Sequence, residues 1–78
     1  MPEKEIALPQ SKLSSALLEK RVSKDLSQRA MAKEIGISYP VYAGLERGTY
    51  TPSLKLLTKI AQYLEIDVKD ALDMYIKN

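Results

Sequence analysis

Two helix signals only two residues apart constrain this chain more than anything else in its sequence. Gly36 closes one amphipathic segment and Ser38 opens the next. Glycine takes the left-handed conformation at a helix C-terminus without steric cost, and a serine ahead of an apolar-periodic run accepts a hydrogen bond from the free amides of the new helix. So short a step forces the two helices to cross in contact. Ala32 has to be small because the following helix passes close to it, and Ile37, Tyr42 and Leu45 have to be apolar to hold the pair on a core.

The rest of the chain supplies that core. Ser27 caps the helix that ends at Gly36, with Met31, Ala32 and Ile35 on its buried face. Ser11 caps an earlier helix in which Leu13, Ala16, Leu17 and Val22 fall near one face and Leu18 lies off it. After Ser38 the apolar positions are Val41, Tyr42 and Leu45, and Gly48 to Thr51 reads as a loop. Thr51-Pro52 marks a helix start, a capping side chain followed by a proline at the first helical position. That helix is expected to bury Leu54, Leu57, Ile60, Ala61 and Leu64, with Leu56 off the stripe. Asp67 caps a last helix carrying Ala71, Leu72, Tyr75 and Ile76. No segment alternates with period two, so the expected fold is all-α, five short helices in one domain over residues 11–78. Residues 1–10 hold Pro2, Pro9 and the patch Ile6-Ala7-Leu8, and are expected to form an extended arm.

Composition narrows the function. With 78 residues and neither Cys nor His, the domain has no disulfide or thiolate metal site to support its core, which must form from packing alone. No apolar run approaches a membrane span, and residues 1–10 lack a signal-type hydrophobic stretch, so a cytoplasmic protein with no membrane partner is expected. No carboxylate pair, nucleophile with a base, Gly-rich phosphate loop or metal-ligand cluster stands out, and neither an enzyme nor a cofactor is expected. The charge is polarised. Nine basic residues face four acidic ones between Lys12 and Lys59, whereas from Ile60 onward four acids face two bases. Such a molecule suits one face on a polyanion and another turned away, although a solvated surface without a partner has the same composition.

The segment from Ser27 through Arg47 has the layout of a helix-turn-helix, whose second helix enters the major groove of DNA. A ligand-free αα-hairpin has the same layout. Over roughly Leu13 to Leu72 the sequence resembles the lambda-repressor-like (Xre) helix-turn-helix family. The resemblance rests on Leu26-Ser27-Gln28, Ala32, Gly36-Ile37-Ser38, Tyr42, Leu45-Glu46-Arg47-Gly48, Thr51-Pro52-Ser53-Leu54, Leu57, Ile60-Ala61, Leu64 and Ile66. It implies a five-helix domain that binds double-stranded DNA, commonly as a dimer, in phage repressors, bacterial regulators and antitoxins. By the same resemblance Gln28 touches a phosphate and braces the recognition helix, and Arg21 pairs with Glu46.

Tyr39, Pro40 and Gly44 fall where family members place base-reading side chains, yet Pro40 has no donor and Gly44 no side chain. Direct readout then rests on Tyr39, with Ser38 beside it, and on Pro40, Val41 or Ala43 against thymine methyl groups. Because Tyr39 precedes a proline, the third helix is expected to start one residue late. Thr49, Tyr50 and Ser53 are candidates for phosphate contact, and Arg29 and Arg47 for electrostatic contact. Two functions remain open on this reading. One is a sequence-specific DNA-binding transcriptional regulator, a repressor. The other is a protein-interaction module that uses the apolar third helix on a protein partner. Met74, Tyr75 and Ile76, with Leu18 and Leu56, exceed what a small core absorbs, and a homodimer is expected.

Overall fold

The computed structural model describes residues 11–76, so the arm expected over residues 1–10 lies outside it. Among the described residues there are five helices and no strand: α1 Lys12–Ser23, α2 Gln28–Ile35, α3 Tyr39–Arg47, α4 Leu54–Leu64 and α5 Val68–Ile76. Each of the first four opens on a serine in extended conformation whose hydroxyl accepts an amide three residues on. Ser11 takes that of Ser14, Ser27 that of Ala30, Ser38 that of Val41 and Ser53 that of Leu56. One such cap contributes about 1 kcal/mol, a sizeable share of the stability of a small domain.

Three of the four caps are the expected ones. At α4 the cap is Ser53 instead of Thr51, and Pro52 is buried ahead of the helix instead of filling its first position. Leu54 therefore begins the helix and is 68% exposed, while Leu56 takes the buried place beside Leu57, Ile60 and Ala61. At α3 the helix includes Tyr39 from the start, not one residue later. Pro40 fits there because the amides of a first helical turn have no partner within the helix.

The core joins all five helices: Leu13 and Leu17, Met31 and Ala32, Tyr42 and Leu45, the α4 stripe, and Ala71. α3 packs on α2 and α1, while α5 packs on α4 and α1. Val22, counted with the α1 stripe, is exposed, because the last turn of α1 meets its neighbours through Arg21 instead of an apolar side chain. Ser14 is buried in that stripe, and its hydroxyl donates to the Leu45 carbonyl at 2.5 Å. On α5, Met74 and Tyr75 fold back against the core, whereas Leu72 and Ile76 stay exposed.

Left-handed glycines flank α3, Gly36 at the end of α2 with φ 90° and Gly48 at the end of α3 with φ 79°. The Gly36 and Ile37 amides both donate to the Ala32 carbonyl, at 2.9 and 3.0 Å. Lys59 of α4 donates to the Gly36 carbonyl at 3.1 Å, which ties the turn to the rest of the domain. Among the described residues the other left-handed ones are Asp25 at φ 57° and Glu65 at φ 61°.

Candidate nucleic-acid interface

One carboxylate holds α3 in place from the inside. Glu46 accepts from Arg21 Nε at 2.6 Å and Nη2 at 3.2 Å, from Gln28 Nε2 at 2.8 Å, and from the Tyr42 hydroxyl. Arg21 also donates through Nη1 to the Leu26 carbonyl at 3.0 Å, so a single guanidinium joins α1 to α3 and to the chain entering α2. The Glu46 side chain is only 6% exposed. Burial works to raise its carboxyl, but hydrogen bonds from Arg21, Tyr42 and Gln28 outweigh that and hold it below its ordinary value. Burial and the adjacent carboxylate push the Tyr42 phenol up, so it stays protonated and donates.

The outer end of α3 is built differently. Tyr39, the first residue of the helix, is 36% exposed, and the Arg29 guanidinium of α2 lies over its ring, 4.2 Å from the centroid. Ser38 and Pro40 are exposed beside it. The next two candidates are not. Ala43 is 4% exposed and Gly44 is buried, so the groove contacts expected of them are set aside. Gly44 has another role, because a β-carbon there would stand 2.9 Å from Tyr50 Cβ. The Thr49 and Tyr50 amides both reach the Gly44 carbonyl, at 2.9 and 3.3 Å, which folds the loop after α3 back onto the helix.

That fold-back gathers several of the remaining candidates. Ser38, Tyr50 and Ser53 line one open cleft of about 290 Å³, together with Val41, Lys55 and Lys59. Arg29 and Tyr39 form a second group at the start of α3, whereas the amide of Gln28 is held by Glu46 near the other end of that helix. Arg47 is exposed at the far end of α3, apart from both. Lys24, counted among the basic residues, is engaged elsewhere, with Glu34 at 2.7 Å and the Tyr63 hydroxyl at 2.9 Å. Sequence reasoning missed Ser14, although its position between Leu13 and Leu17 puts it on the buried stripe. It also missed the Arg29–Tyr39 stack, for which ten residues of separation carry no signal.

The helix-turn-helix family pattern matches residues 17–70. The ImmF control region 10 kDa protein of Bacillus phage phi105 is 39% identical over 57 residues, 73% of this chain and 63% of that protein. The CTXphi transcriptional repressor RstR of Vibrio cholerae is 32% identical over 57 residues, 73% of this chain and 51% of that protein. The chain thus spans between half and two thirds of the length of these two relatives. Among solved structures, the restriction-modification controller protein C.AhdI of Aeromonas hydrophila superposes with a TM-score of 0.61 at 33% identity, over 78% of this chain and 88% of that one. With its two helices crossing at Gly36, its capped third helix and these relatives, the chain belongs to the lambda-repressor-like helix-turn-helix family.

Proposed function

We propose that this chain binds double-stranded DNA with sequence preference as a cytoplasmic transcriptional regulator, a repressor, with α3 in the major groove. The observation that carries the reading is the arrangement around the start of α3. Tyr39 and Pro40 are exposed on the first turn of α3, Arg29 of α2 lies over the Tyr39 ring, and Ser38 and Ser53, the caps of α3 and α4, line one cleft. Helix N-termini present unpaired amides and partial positive charge, which suit phosphates on either side of a groove. The name of RstR as a transcriptional repressor supports the direction of regulation. DNA is favoured over a protein partner for α3, since burial of Ala43 and Gly44 trims its apolar surface to Tyr39, Pro40 and part of Val41.

The same reading includes a second copy of the chain. Leu18 on α1 and Leu72 and Ile76 on α5 are exposed on two helices that pack together, a surface suited to a symmetric contact between copies. Paired α3 helices then meet half-sites about 34–36 Å apart. With about four or five phosphate contacts per subunit, the dimer releases roughly eight to ten counterions, and the log–log salt slope of binding is near −7 to −9. A salt titration against a pool of random duplexes measures it. No binding at low salt rejects the DNA reading, and sedimentation showing only monomer at tens of micromolar rejects a stable free dimer.

A further inference from the structure

On the reading that α3 enters DNA, its outer face is short of hydrogen-bond donors. Pro40 has none, Val41 is apolar, Ala43 and Gly44 are buried, and Arg47 lies at the opposite end. The Tyr39 phenol by itself is a single hydroxyl. The stack changes this. Arg29 brings a guanidinium to the same spot, over the Tyr39 ring with its Cζ 4.2 Å from the centroid. A guanidinium stacks through its face and hydrogen-bonds through its edge, so the ring occupies the face and leaves the in-plane N–H fork available. Stacking also restricts a side chain that otherwise samples many rotamers, which lowers the entropy lost when it docks. Among the described residues no carboxylate pairs with Arg29.

We infer that Arg29, held over the Tyr39 ring, is the specificity-determining residue of this interface and reads guanine through O6 and N7, with Tyr39 as its platform. An in-plane pair of donors matches the two acceptors on the major-groove edge of guanine and of no other base. Arg29 lies on α2 rather than on the recognition helix, and the stack is what brings it to the groove. Tyr39 acts here through its ring, not its hydroxyl.

The test is selection of bound sites from a randomised duplex pool, with the full chain and the variants Arg29→Ala, Arg29→Lys, Tyr39→Ala and Tyr39→Phe. Thermal melts come first, and both exposed positions should melt close to the parent. The parent should select guanine at one position in each half-site. Arg29→Ala should lose that preference by roughly tenfold to a hundredfold while keeping the others. Arg29→Lys, which lacks the fork, should lose most of it. Tyr39→Ala should lose it with the stack, and Tyr39→Phe, which keeps the ring, should retain it. Placing 7-deazaguanine at that position should weaken the parent and leave Arg29→Ala unchanged. If Arg29→Ala weakens all duplexes equally, with a shallower salt slope and the same selected sequence, Arg29 contacts phosphate and the inference is overturned. Loss in Tyr39→Phe with retention in Arg29→Ala overturns it in favour of the hydroxyl. A parent chain that selects nothing rejects the DNA reading itself, a result distinct from either of these.

Discussion

The two sides of α3 are built on opposite plans. Inward, Tyr42, Leu45 and Glu46 are buried, and Glu46 alone is reached by three other side chains from α1, α2 and α3 itself. Outward, Tyr39, Pro40 and Arg47 are exposed, and Tyr39 is met by the Arg29 guanidinium. The inward side fixes where the helix sits, and the outward side decides what it meets. If this division is right, substitutions inside should cost stability and substitutions outside should change binding at nearly constant stability.

The strongest way to break the comparison is Glu46→Ala. It strands the Arg21 guanidinium and leaves the Tyr42 hydroxyl and Gln28 amide without their acceptor, for a loss of about 3 kcal/mol. In a domain of this size that is a fall in melting temperature on the order of 15 °C. A calorimetric melt close to the parent would show that the pair does not hold α3. Glu46→Gln keeps the shape but not the charge, and should cost about 2 kcal/mol at neutral pH. Because the Glu46 carboxyl is depressed in the folded protein, its contribution is present above the ordinary carboxylate value and is lost as pH falls through the lowered one. Denaturant curves for parent and Glu46→Gln should therefore draw together as pH falls below the ordinary carboxylate value and meet below the lowered one. A constant gap down to pH 2 would assign the loss to packing instead.

Gly44→Ala tests the boundary between the two sides. Alanine favours a helix over glycine by about 1 kcal/mol, but the new β-carbon meets Tyr50 Cβ at 2.9 Å, and overpacking costs about 1–3 kcal/mol. The clash should win by roughly 1 kcal/mol, and displacement of Thr49 and Tyr50 should weaken DNA binding as well. A more stable Gly44→Ala variant would mean that the loop gives way easily. The smallest effect on stability belongs to the outer face. Arg47→Ala should shift the melt by no more than about 0.5 kcal/mol while lowering affinity for every duplex alike. A melt shifted as far as that of Glu46→Ala would erase the distinction between the sides.

The inward plan was the legible one. Serine caps, Gly36 and the small Ala32 act through local rules that a sequence states directly, and the Arg21–Glu46 relation follows from the resemblance. Errors arose where a periodic stripe had two acceptable settings. In α4 the residues Leu54, Leu56, Leu57, Ile60 and Leu64 support either, and only packing against the other helices selects the one that buries Leu56 and exposes Leu54. Gly44 was illegible for a different reason. Its neighbour is Tyr50, brought back by a loop whose path depends on the Gly48 turn, and no helical periodicity reports such a contact. The expected late start of α3 came from a rule about the residue before proline, which the Ser38 cap and the Arg29 stack override.

Gly36 and Gly48 have a mechanical consequence. A residue with a β-carbon pays about 1–2 kcal/mol to occupy the left-handed region and has little room around it, as at Asp25 and Glu65, whereas glycine moves between neighbouring conformations at small cost. α3 is thus hung between two compliant joints, while the turns after α1 and α4 are stiffer. With Glu46 anchoring its inner side to α1 and α2, the recognition helix is left small adjustments at these two turns with which to follow a groove whose width varies with sequence. Amide relaxation in the free protein should find the largest backbone amplitudes of the interhelical turns at residues 36 and 48, and a fall in both when a duplex is bound.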